Sequence, residues 1–236
     1  MRYDSIADNL SEVRERIADA ADRADRAPGD VNLVAVTKTR TVDEVRAVVE
    51  AGARDLGENY AQEMEEKAAA LAEHDVRWHA IGHLQTNKVR RIADIVALVH
   101  SVDSERVGRE IDRRAGMEDR SVPALLQVNV SGEESKFGVE GEEAVASLAR
   151  RLGDLEHVEL LGLMTMPPYC EEPEDNRPYF IELREMRDRL VERGIAAASM
   201  RHLSMGMTCD YEVAVEEGAT FVRVGTAIFG PRDYDD

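Results

Sequence analysis

Four lysines occur among 236 residues, against 26 arginines, so each lysine can be examined in turn. Lys38 follows Val31 to Thr37, a short apolar run rich in β-branched residues that reads as a buried strand. An amine at the end of such a strand stands near low-dielectric walls, which favour its neutral, nucleophilic form and its attack on a carbonyl carbon. The bland alternative is a snorkelling side chain with its ammonium in solvent. Two loops change the balance. Ser204 and Gly206 follow one strand-like run, and Gly225 and Thr226 follow the next. Glycine lets backbone N–H groups approach an anion, and hydroxyls add donors. In α/β barrels the loops after the seventh and eighth strands often hold phosphate. A strand-end amine facing that cradle fits a phosphorylated carbonyl compound held as a Schiff base, its anionic tail gripped on the far side of the mouth.

Arg223 lies between Val222 and Val224, so strand alternation turns it to the opposite face from them. A cation directed into a barrel needs a partner, either a carboxylate such as Glu58 or Asp210 or a ring nitrogen of a ligand. Asn59 either bonds a ligand oxygen or closes a turn. His79 and His83 are four apart in a strand-then-loop segment, not on one helix face. With no CxxC pattern and the histidines scattered, no metal site is expected. Cys209 reads as a nucleophile or, more simply, as a buried small hydrophobe. Lys88, Arg90 and Arg91 read as a solvated helix face. Neither GxSxG nor GxxxxGK[ST] occurs.

Which elements would position these groups? Ser5 to Arg26 carries Ile6, Leu10, Val13 and Ile17 at helical spacing and ends at Pro28-Gly29. Strand-like cores then recur at 31–37, 54–57, 78–81, 97–102, 124–130, 158–164, 201–204 and 221–224. Helix-periodic stretches separate them, at 60–72, 86–93, 104–115, 140–152, 175–193 and 209–217, and Thr41 reads as the N-cap of another. Strict alternation demands a parallel sheet with helices outside it. The expected fold is α/β, a single (β/α)8 TIM-type barrel over 31–230 with an extra N-terminal helix in 1–28. An open doubly wound sheet is the runner-up. The one long loop candidate runs from Pro167 to Pro178.

Seven segments, AVTKT (35–39), LGENYAQE (56–63), WHAIGHLQTNK (78–88), NVSGEESKFG (129–138), GLMTM (162–166), LSMGMTCDYEVAVEEGAT (203–220) and VRVGTAIFG (222–230), together resemble the pyridoxal phosphate homeostasis proteins. These are relatives of the alanine racemase N-terminal barrel. The resemblance implies that Lys38 holds pyridoxal 5′-phosphate as a Schiff base. It implies that Ser204, Gly206, Gly225 and Thr226 hold the phosphate, with Met207 contributing backbone beside them. Arg223 would face the pyridine nitrogen, Asn59 would lie beside the ring, and Lys136 matches a lysine linked to cofactor transfer. Thr208 stands where many relatives have serine, and the end segment 232–236 lacks the basic tail of some relatives. The implied role is to bind, buffer and hand on the cofactor in vitamin B6 and amino-acid homeostasis without robust turnover; a monomer in transient contact with apoenzymes is expected. An arginine beside the ring nitrogen does not readily give up a proton, which leaves the ring a poor electron sink. The alternatives are an amino-acid racemase of the alanine racemase type and a cofactor-free Schiff-base aldolase. The racemase would need a second base, which in that fold is a tyrosine from an additional β domain for which this sequence has no residues.

Hydrophobic residues make up 43% of the chain, ample for a core, and the formal net charge is −18. That charge repels nucleic-acid backbones and anionic membranes as partners. No apolar run approaches the ~18 residues of a membrane span, and the charged start lacks a signal-peptide core, so a cytoplasmic protein is expected. The two cysteines, Cys170 and Cys209, make no disulfide framework. An acidic, lysine-poor surface suits concentrated salt, although a GC-rich coding sequence has the same effect on arginine usage. If salt is the reason, screening should raise the melting temperature along a salt series, and a flat or falling series decides against it.

Overall fold

The computed structural model describes residues 4–133, 135–169 and 171–231. Cys170 and the segment 232–236 lie outside the described residues. The chain opens with α1 (Asp4–Arg23), then β1 (Asn32–Val36), α2 (Val42–Glu50), β2 (Asp55–Glu58), α3 (Ala61–Ala70), β3 (Arg77–Ala80) and α4 (Thr86–Val89). There follow β4 (Val96–Val102), α5 (Glu105–Met117), β5 (Val122–Gln127), α6 (Glu142–Gly153) and β6 (Val158–Met164). The last elements are α7 (Arg177–Glu192), β7 (His202–Ser204), α8 (Tyr211–Glu216), β8 (Phe221–Val224) and α9 (Thr226–Phe229). Each strand pairs in parallel with the next, and β8 closes on β1 through Leu33–Val222, Val34–Arg223 and Ala35–Val224. That closure excludes the open doubly wound sheet.

Three boundaries differ from the sequence pattern for local reasons. β5 stops at Gln127 because Asn129 Oδ1 accepts from the Ser131 and Gly132 N–H groups, at 3.2 and 3.1 Å, and bends the chain off the ladder. The helix expected over 86–93 contracts to α4, since Arg91 and Ile92 donate three residues back and tighten into turns. The expected loop from Pro167 ends at Asn176, and Pro178 falls in the first turn of α7, where its missing N–H costs nothing.

Apolar side chains form two layers. Val34, Leu98, Leu125, Leu161, Met164 and Phe221 cluster separately from the larger core that joins strands to helices. The predicted stripe of α1, Ile6, Leu10, Val13 and Ile17, is buried in that larger core, and α1 packs on α8 and α9. Asn9 Nδ2 donates to Ile228 O at 2.9 Å, and the Arg26 guanidinium donates to Val215 O and Ala219 O. The first helix therefore braces the two helices that follow the last two strand-end loops. Among the described residues no helix is long and apolar enough to cross a membrane.

Thr41 closes the turn after β1 with a capping box. Its hydroxyl accepts from Glu44 N–H at 3.3 Å while Glu44 Oε2 accepts from Thr41 N–H at 2.8 Å. Thr41→Ala should lower the urea-derived unfolding free energy by about 1 kcal/mol with an unchanged slope.

Candidate functional site

A cavity of about 460 Å³ opens at the carboxyl ends of the strands. Its wall brings together Lys38, Asn59, Met207, Arg223, Gly225 and Thr226, drawn from four different strand ends. Lys38 and Gly225 are neighbours, not opposite one another, because β1 and β8 are the pair that closes the barrel. A side chain at Gly225 would come within 3.4 Å of Val36 Cβ, so glycine keeps this corner open between amine and loop.

Ser204 and Gly206 lie behind the wall. Gly206 has φ +88°, and a Cβ there would meet Ala214 Cβ at 2.5 Å, so its role is to let the loop turn tightly against α8. Thr208 and Asp210 line the cavity on this side, where Ser204 and Gly206 do not. Thr208 Oγ1 accepts from Gly225 N–H at 3.4 Å and joins the two loops. Asp210 Oδ1 accepts from Met207 N–H at 2.6 Å, and Asn176 Nδ2 donates to Asp210 Oδ2 at 2.6 Å and to Pro168 O at 3.1 Å. One buried carboxylate thus holds the β7 loop to the segment carrying Tyr169, which is exposed and lines the cavity. Asp210 lies three residues after Met207, within reach of a local side-chain-to-backbone bond, and that was the available signal. Arg40 also reaches the wall and donates to Gly230 O at 2.5 Å.

Cys209 is exposed on this wall, not buried, because Asp210 takes the inward position of the turn. Lys136 lies off the wall, half-buried in the loop between β5 and α6, beside Phe137, whose ring stacks on His83 at 4.0 Å. Glu58 does not meet Arg223. Asp55 turns to the inside of β2, so Glu58 turns outward, where it bonds Thr37 and Lys67 of α3.

Arg223 points inward, as its flanking valines required, and is 3% exposed. Its Nη1 donates to Ser204 Oγ at 2.6 Å and its Nη2 to Thr165 O at 2.9 Å. From Ser204 a chain of side chains runs down the barrel. Ser204 Oγ lies 2.7 Å from His100 Nδ1, His100 Nε2 lies 2.9 Å from His79 Nδ1, and His79 Nε2 lies 2.8 Å from Asp55 Oδ1. Burial, then His79 and Arg223, hold the pKa of His100 well below the ordinary histidine value, so it is neutral. Burial works against the Asp55 charge, but bonds from His79 and Arg77 outweigh it and bring that carboxyl to about 2. With an uncharged His79, one polarity satisfies every member of the chain. Arg223 donates to Ser204, Ser204 to His100, His100 to His79, and His79 to the Asp55 carboxylate. Burial draws Arg223 down to about 10, with Asp210 acting the other way, so it keeps its charge at neutral pH.

Because the Asp55 value is lower in the folded chain than its ordinary 3.8, the stabilisation it gives is present above that value and is lost as pH falls through about 2. Asp55→Asn should therefore lower the unfolding free energy by about 2 kcal/mol near neutral pH, and the gap to the parent should close in acid.

A family model described as the alanine racemase N-terminal domain matches residues 4–233. A protein of Aquifex aeolicus named pyridoxal phosphate homeostasis protein is 46% identical over 230 residues, covering 98% of this chain and 100% of that one. The solved structure of PipY from Synechococcus elongatus with PLP bound is 33% identical with a TM-score of 0.84, covering 95% of this chain and 100% of that chain. Alanine racemase of Clostridium difficile shares the fold at 16% identity with a TM-score of 0.72, and 99% of this chain covers 61% of it.

Proposed function

The chain belongs to the pyridoxal phosphate homeostasis proteins, which share the alanine racemase N-terminal domain, and on that premise we propose that it binds, buffers and hands on pyridoxal 5′-phosphate in vitamin B6 and amino-acid homeostasis. One observation carries the reading. An amine, a buried guanidinium and two loops joined by the Thr208–Gly225 bond share a single cavity. The residues fit the group in size and in chemistry. A cavity of about 460 Å³ is within the range of small-molecule sites, and Val36, Ile81, Met166 and Met207 give it apolar surface for a ring.

Lys38 is the amine that would hold the cofactor through its aldehyde. The N–H groups at the start of α9 and the hydroxyls of Thr208 and Thr226 receive the phosphate. Ser204 and Gly206 act from behind, Ser204 by orienting Arg223 and Gly206 by allowing the turn. Asn59 lies beside the ring. Once bound, the cofactor serves as an electron sink to the degree that its ring nitrogen is protonated. Arg223 would serve that nitrogen as a donor that keeps its own proton, since Ser204 and Thr165 fix it and Asp210 supports its charge. That arrangement favours holding the cofactor over turning over amino acids. We assign Lys136 to transfer, since it stands in the loop after β5 and off the wall, and we picture a cytoplasmic monomer in transient contact with apoenzymes.

Borohydride reduction of the loaded protein followed by peptide mass mapping should find a pyridoxyl group on Lys38, and Lys38→Ala should lose most of it. The loaded protein should leave the chirality of single amino acids unchanged, and fast racemisation would promote the racemase reading. Failure to take up any pyridoxal phosphate would promote the cofactor-free aldolase.

A further inference from the structure

We propose that Lys67, together with Glu58 and Glu63, is a positioning device for Lys38, built from one buried ammonium that fixes the backbone on both sides of that lysine. This rests on the reading of Lys38 as the cofactor's amine.

Lys67 sits in the middle of α3 with its side chain 6% exposed, although a helical lysine ordinarily keeps its head in water. Its Nζ donates to Glu58 Oε1 at 2.6 Å, Glu63 Oε2 at 2.8 Å and Thr37 O at 2.8 Å. Those are the three donors an ammonium has. Thr37, the residue before Lys38, is held three ways. Its hydroxyl donates to Glu58 Oε1 at 2.6 Å, its N–H to Gly57 O at 2.9 Å, and its carbonyl receives Lys67. The residue after Lys38 is held by the same cluster, for Glu63 Oε2 also accepts from Thr39 N–H at 2.8 Å.

Between those anchors the chain makes a tight turn. Arg40 N–H donates to Thr37 O at 3.0 Å, so Lys38 and Thr39 are its two central residues. Thr39 has φ +64°, the left-handed region that glycine or asparagine fills at the third position of a turn. A β-branched residue is strained there, and the Glu63 carboxylate compensates by taking its N–H.

Stability alone does not call for this arrangement. Burying charges seldom stabilises a fold relative to well-packed apolar residues, and the same layer is otherwise apolar at Leu56, Met64 and Leu71. Charge burial and backbone strain coincide at the turn that presents Lys38. Strain held by surrounding structure is characteristic of sites where a side chain must be aimed.

Removing Lys67 leaves Glu58 buried without its cation and endangers folding, so Glu63→Gln is the primary variant and Lys67→Met the second. Two quantities are measured on each apoprotein. The first is the rate at which pyridoxal 5′-phosphate becomes borohydride-trappable on Lys38. The second is the affinity for pyridoxine 5′-phosphate, which has an alcohol in place of the aldehyde and reads the rest of the site. Glu63→Gln should slow trapping at least about tenfold while leaving the alcohol's affinity within about threefold. Adding Thr39→Gly to Glu63→Gln should restore much of the rate, since glycine holds a positive φ unaided. Trapping at the parental rate in Glu63→Gln would overturn the proposal, as would a parallel fall in both quantities or the absence of rescue. Equal trapping in Lys38→Ala is a separate outcome that would instead overturn the reading of Lys38 itself.

Discussion

Closure of the barrel is the constraint on which the site depends. Pairing of β1 with β8 sets Val34 beside Arg223 and Ala35 beside Val224, so the residues that follow, Lys38 on one strand and Gly225 and Thr226 on the other, emerge side by side. An open sheet with the same strands would separate them by its full width. The last loops are then stiffened from two directions. Thr208 and Asp210 bind them within the mouth, and α1 packs behind α8 and α9. Chain length at both ends is thereby committed to one corner of the mouth.

The interior of this barrel departs from the layers of branched apolar residues that usually fill such a fold. Apolar side chains occupy part of it, but Asp55, His79, His100, Ser204 and Arg223 form a continuous polar chain among them. Each member has its partner, which is the condition under which a buried polar network is tolerated. The consequence at the cavity is a guanidinium whose position and charge are set from within the scaffold. On the proposed reading, that environment favours retention of an electrophilic cofactor over catalysis that draws on it.

The same division of labour holds on the other side of β1. Inward-facing Val36 and Lys38 border the cavity, while outward-facing Thr37 reaches Lys67 and Glu58 in the layer under α3. Strand alternation lets one turn serve both surfaces, with chemistry on one face and the fastening on the other.

Much of this was legible in the chain itself. Alternating apolar runs and amphipathic stretches follow from local periodicity, and they determined all eight strands, the order of the helices and the rim on which Lys38, Asn59, Met207, Arg223, Gly225 and Thr226 would stand. The inward direction of Arg223 came from the valines beside it. The larger boundary shifts came where side chains outcompeted the ladder, as at Asn129, or where turns tightened, as after α4. Tertiary structure alone decided the partners. Residues 55, 79, 100, 204 and 223 meet across the inside of the barrel, and residues 37, 58, 63 and 67 meet outside it. Sequence spacing carries no information about contacts between strands that are far apart in the chain. It therefore could not show that Ser204 meets His100, that Lys67 is buried, or that Cys209 faces solvent. Periodicity fixes which way a side chain points; only the closed barrel fixes what it meets.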